Sequence, residues 1–249
     1  MQSWAGDALS GAAKTQGVRL EREKNTETRM LIGRPTKKGA GIEIFGDYQD
    51  LDSLHSTIHF LSEGSILKDE HVEDYILGLA YEVRYAYQGQ RASEKIGEGQ
   101  SFETTYLGFK YLWPHFLVQL ALLRHVANKI KTNREHQSNI SRLEHLTLEA
   151  LETLDPKFAT KIFRFMPELA ALNRKDYLFQ FVDFQSFEFV TDLKTKHDRI
   201  FDLMNVMTEI LPSSEDYKSF KSELRTEAKE RSCSLLELNY SYDWSNFKW

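Results

Sequence analysis

Cysteine is nearly absent. Cys233 is the only one in 249 residues, so no internal disulfide can form, and the chain suits a reducing compartment. No stretch approaches the ~18 consecutive apolar residues of a membrane-spanning helix. The opening MQSWAGDALSGAAKTQG lacks both a basic start and a continuous apolar core, so it does not read as a secretory signal. These absences place the expected location in the cytoplasm. There is no basic excess either: the formal net charge is -5 and the pI is near 5.9, which argues against charge-driven nucleic-acid binding.

Signature motifs are missing as well. The chain has no GxGxxG after a strand, no GxxxxGK[ST], no GxSxG, no HExxH and no CxxC. The common phosphate cradles, the hydrolase elbow and the usual zinc sites are thereby excluded, and the balance tips away from an enzyme. No cofactor signature exists, and a divalent metal is the one group the residues leave open.

What is present is a change of texture along the chain. Residues 1–17 are rich in Ala, Gly and Ser and read as a flexible tail. Then VRLER, RMLIG and GIEIFG form short apolar runs separated by KNTET and RPTKKGA, the pattern of a small antiparallel sheet. Gly46 permits a sharp turn, and Asp50 is placed to cap the helix that follows. Val72, Tyr75, Ile76, Leu79, Val83 and Ala86 recur at helical spacing, with Gly89 as the stop. ASEKIGEGQS reads as a polar loop and FETTYLGFKYLW as a strand ending at Trp113-Pro114. HFLVQLALLRHVANKI is apolar on most of its circumference, as a buried central helix is. Nearly everything from residue 138 reads as helix, with Pro167 expected to kink or end one of them.

The sum is an α+β fold, predominantly α: a small N-terminal sheet packed on a larger helical body. The expected organisation is one domain over 18–249. Sheet and early helices fill 18–112, the helical body 113–239, and an aromatic tail 240–249.

Three sets of residues are candidates for a site. His55 and His59, four apart on a helix, can share one metal ion with Asp47 as a carboxylate ligand. Ser56 stands where HExxH would place its general base, and the same spacing suits histidines bordering the apolar stripe Leu51, Leu54, Ile58 and Leu61. Arg84 and Arg91 lie seven apart, with Arg124 on the apolar helix, and could fork onto a nucleotide or another anion. Ion pairs with nearby carboxylates are the plainer use of all three. The tail NYSYDWSNFKW holds Tyr240, Tyr242, Trp244, Phe247 and Trp249, which either anchor in a partner's groove or fold back on the chain's own helices. His115 and His125 read as structural, and Cys233 as incidental.

IEIFGDYQDLDSLHSTIH, LGLAYEVRYAYQGQR and LGFKYLWPHFLVQLALLR, taken in order, resemble the successive blocks of an uncharacterised bacterial family known as a domain of unknown function. The likeness spans residues 40–126. It implies a bacterial, cytosolic origin and assigns no catalytic residue. The leading expectation is an interaction or accessory protein that binds another protein or a second copy of itself. A metal-dependent hydrolase on His55, His59 and Asp47 is one alternative, and an anion binder on Arg84, Arg91 and Arg124 is another.

Overall fold

The computed structural model describes residues 31–64, 70–96, 104–170, 178–191 and 195–238, together with 242, 247 and 249. The expected tail at 1–17, the VRLER run, Tyr240 and Trp244 lie outside the described residues.

Four strands form one antiparallel sheet in the order β1-β2-β4-β3: β1 Ile32–Pro35, β2 Gly41–Gly46, β3 Ala92–Ile96 and β4 Thr104–Leu112. The turn from β1 to β2 works because Gly39 takes φ +74°, a region other residues avoid. The Thr36 hydroxyl accepts from the Gly41 N–H at 3.0 Å and locks it. In β2, Ile42 and Ile44 are fully buried, and they pair in register with Tyr111 and Phe109 of β4.

Residues 92–96, expected as loop, are strand β3. The expectation fails because ASEKI shows no apolar alternation; its residues alternate only between exposed and half-buried at the sheet edge. Its pairing comes from β4, and Arg34 fastens it by reaching Glu94 while also holding Glu43 at 2.8 Å.

Among the described residues eight helices follow: α1 Tyr48–Glu63, α2 Glu70–Tyr87, α3 Trp113–Ala127, α4 Arg134–Glu152, α5 Pro156–Ala170, α6 Leu178–Thr191, α7 Lys196–Glu209 and α8 Glu215–Arg231. A 3-10 turn at Leu235–Glu237 comes next. The fold is therefore α+β and predominantly α. The cap of α1 is Asp47 rather than Asp50: Asp47 is extended, and its Oδ1 accepts from the Asp50 N–H at 2.9 Å. Asp50 instead sits in the first turn and receives Arg142 Nη1 at 3.1 Å. Pro167 does not end α5, which runs on to Ala170. A proline inside a helix costs about 3 kcal/mol, and the apolar face of Phe158, Ile162, Met166 and Leu169 packs through and beyond it.

α3 is the centre. Phe116, Leu117, Val118, Leu120, Leu123 and Val126 are fully buried, and the helix touches α1, α2, α4, α5, α6 and α7. Each such side chain contributes about 1.5–3 kcal/mol through burial. No helix among the described residues is long and apolar enough to cross a membrane.

Candidate functional site

The cap at Asp47 sets the phase of α1, and that phase puts Tyr48, Asp52, His55 and His59 on one stripe at helical spacing. α2 packs alongside, and Tyr87 completes an aromatic row. The Tyr48 and Tyr87 rings meet edge-on at 5.4 Å, Tyr87 and His55 at 5.6 Å, and His55 and His59 at 4.5 Å. His55 Nε2 is buried and has no hydrogen-bond partner among the described residues. Burial lowers the His55 pKa, helped by His59 and Arg84 and opposed by Asp52, which favours the neutral imidazole.

Arg84 extends the row. Its guanidinium lies 5.0 Å from the Tyr81 ring centre and 5.3 Å from that of Tyr85, and its Nε is buried without a partner among the described residues. Arg91 approaches Tyr85 at 4.6 Å, but its fork is closed on Glu82 at 2.7 and 2.8 Å. Arg84 and Arg91 thus meet at one tyrosine. Arg124 is elsewhere: between α3 and α4 it holds both carboxylate oxygens of Glu144, at 2.6 and 2.5 Å, with Gln137 and Ser141 at 3.1 Å.

The metal candidates divide in the same way. His55 and His59 are neighbours, whereas Asp47 places a carboxylate oxygen on the α1 cap. Among the described residues no group of three His, Cys, Asp or Glu side chains gathers as the ligands of one ion would.

Near the chain end, the described Tyr242 and Phe247 pack against the rest of the fold. Tyr242 stacks on Phe187 of α6 at 4.9 Å, and Phe247 packs on the main core with Trp249 edge-on at 4.5 Å. Gln180 Nε2 holds the preceding turn by donating to the carbonyls of Leu235 and Leu238 at 2.9 and 3.0 Å.

Phe247 and Trp249 wall a cleft of about 560 Å³ whose other sides are Gly78 and Glu82 of α2, Lys110, Tyr111 and Leu112 of β4, and His115 of α3. Behind it runs a polar chain. The Tyr75 hydroxyl is 3.2 Å from His115 Nδ1, and His115 Nε2 is 3.4 Å from Asp183 Oδ1. Burial pushes His115 down to about 4 and Asp183 up to about 6. Gln119 Nε2 donates to the Tyr75 carbonyl at 2.5 Å, while its Oε1 is buried and has no donor among the described residues.

Sequence reasoning passed over this second constellation. Tyr75 counts as part of an apolar face, and Asp183 falls in a stretch whose only clear signal is aromatic density. One signal was readable: Gln119 is a lone amide amid apolar residues of α3, which requires a partner just as Arg124 does.

A family model described as a domain of unknown function (DUF6904) matches residues 31–249. The chain belongs to this family. The match extends well beyond residues 40–126, where the motif-order resemblance lies. Neither a curated protein nor a solved structure matches the chain.

Proposed function

We propose that this DUF6904 chain is an interaction protein whose α1–α2 surface docks on a protein partner, with Arg84 receiving a carboxylate from it. The supporting observation is the state of Arg84, half-buried between two tyrosines with its Nε lacking an acceptor among the described residues. A buried donor left unpaired costs about 1–3 kcal/mol, and an incoming carboxylate would relieve that. The surroundings match what protein interfaces use: Tyr48 is 56% exposed and Tyr81 43%, and tyrosine and arginine are the residues over-represented at binding hot spots.

A protein partner is favoured over a free anion because Arg91, the natural second arm of an anion clamp, is closed on Glu82. A metal-dependent hydrolase has the His55–His59 pair in its favour and lacks a converging third ligand among the described residues.

A photo-reactive amino acid at position 81, with one on α5 at Lys157 as the control, tests the proposal in native cells. A discrete adduct at 81 that disappears in Arg84→Ala is expected, and its mass tells a second copy from a different protein. Equal labelling at 81 and 157, or an adduct indifferent to Arg84→Ala, overturns it.

A further inference from the structure

We infer that the groove between α6 and α8 binds a small organic ammonium ion, a positive charge carried on an apolar body. The groove encloses about 480 Å³, within the roughly 300–1,000 Å³ of small-molecule sites. α6 lines it with Phe181, Phe184 and Gln185, α8 with residues between Asp216 and Glu227, and Tyr242 joins them from near the chain end.

Aromatic rings make up much of the lining. Phe181 is 1% exposed, and its ring lies 4.8 Å from Phe220 and 6.2 Å from Phe184. Phe184 and Phe220 stack on each other at 5.6 Å. The faces of such rings are electron-rich and attract a cation, while their area rewards any apolar body that covers it.

Charge selects the class of ligand. Asp216, Glu223 and Glu227 line the groove, and among the described residues no basic side chain does. Helical spacing is the reason. Asp216, Phe220, Glu223, Leu224 and Glu227 share one face of α8, whereas Lys218, Arg225 and Lys229 fall on the opposite one. Glu227 is paired with Arg231, but Glu223 accepts only a neutral hydroxyl, that of Ser219 at 3.1 Å. More negative charge stands close by. Burial raises the Glu209 pKa, and Asp216 and Asp202 raise it further, while Gln185 hydrogen-bonds the same carboxylate. The Tyr242 hydroxyl is pushed up to about 12, by burial first and then by Asp183 and Glu188. An anion would be repelled here, and a neutral ligand would gain nothing from the field.

A bare metal ion suits the groove less well than an organic cation. Its carboxylates are strung along three turns of α8, about 16 Å. Among the described residues no three His, Cys, Asp or Glu side chains gather as the ligands of one ion. The cation must therefore be held by its apolar body as well as by its charge. This site is separate in its argument from the α1–α2 surface, and neither depends on the other.

Saturation-transfer NMR on the full chain tests the inference with benzyltrimethylammonium as the probe. Benzyl alcohol and phenylacetate are the controls, an aromatic ring with no charge and with a negative one. The ammonium is expected to bind with a Kd below about 1 mM, at least about fivefold more tightly than either control. Asp216 and Glu223 are both exposed, so Asp216→Asn combined with Glu223→Gln is expected to stay folded and to weaken the ammonium about fivefold. Phe220→Leu keeps an apolar side chain but removes a ring, and is expected to weaken it about threefold. The comparison with the two controls needs no variant. Absence of ammonium binding, a control that binds as tightly, or wild-type ammonium affinity in either folded variant overturns the proposal.

Discussion

Acidification should destabilise the wild-type chain more than it destabilises a His115→Asn variant. His115 Nδ1 faces the Tyr75 hydroxyl at 3.2 Å, its Nε2 faces Asp183 at 3.4 Å, and burial holds its pKa at about 4. An unfolded chain titrates a histidine near 6.5. Between those values the unfolded state carries a proton that the folded state refuses. The contribution is thus present above pH 6.5 and is lost as the pH falls through the folded pKa. At about 1.4 kcal/mol per pH unit, going from about pH 7 to about pH 4.5 removes about 2 kcal/mol. Asp183 acts in the opposite direction: raised from 3.8 to about 6, it favours the folded state below 3.8, and that contribution fades as the pH rises through 6. Its side chain is 49% exposed, so screening cuts this to on the order of 1 kcal/mol. It is also present in both proteins, so the comparison isolates His115. Urea unfolding followed by circular dichroism at the two pH values is the assay. The wild-type midpoint should fall further than the variant's, by on the order of 1 M urea. Equal losses in the two proteins would refute the reasoning, because His115 would then titrate as an exposed histidine does.

Asp47→Ala should cost about 1 kcal/mol through loss of the α1 cap, and Asp47→Asn should restore it, as read by thermal unfolding; equal losses would show that the charge matters rather than the cap. Gly41→Ala should cost several kcal/mol, about 3 or more, because its methyl group would stand 1.9 Å from the Tyr111 carbonyl oxygen across the β2–β4 pair. Soluble expression with an unchanged Tm would contradict that packing. Elemental analysis of untagged protein should show no stoichiometric Zn, Mn or Fe, and His59→Ala should unfold within about 0.5 kcal/mol of wild type; one metal per chain, lost in that variant, would restore the hydrolase reading.

Much of the fold is legible in the sequence because its signals are strong ones. GIEIFG has the β-branched density of a buried strand, and α3 is apolar around nearly its whole circumference. Local physics also explains what was not legible. β3 is polar and is held in the sheet by β4 and by Arg34, neither of which its own residues reveal. The choice between Asp47 and Asp50 as cap depends on which residue is extended, and both types cap equally well. α5 continues past Pro167 because its buried face outweighs a local penalty. The two sites divide similarly. The periodicity of α1 and α2 brings out His55, His59 and Arg84, but only tertiary packing shows that Arg84 lies between Tyr81 and Tyr85 while Arg124 lies across the fold on Glu144. The cleft draws on α2, β4, α3 and the chain end, and Gly78, Tyr111, His115 and Phe247 are far apart in sequence.

Hydroxyl-radical footprinting inside native cells, set against the purified chain, tests the central claim about the α1–α2 surface most directly. Tyr48 and Tyr81 are exposed at 56% and 43%, and Phe201 on α7, exposed at 58%, serves as the internal reference. The account predicts that Tyr48 and Tyr81 are protected in cells, that Phe201 is not, and that Arg84→Ala abolishes the protection. Tyrosines as reactive in cells as in the purified chain would contradict it.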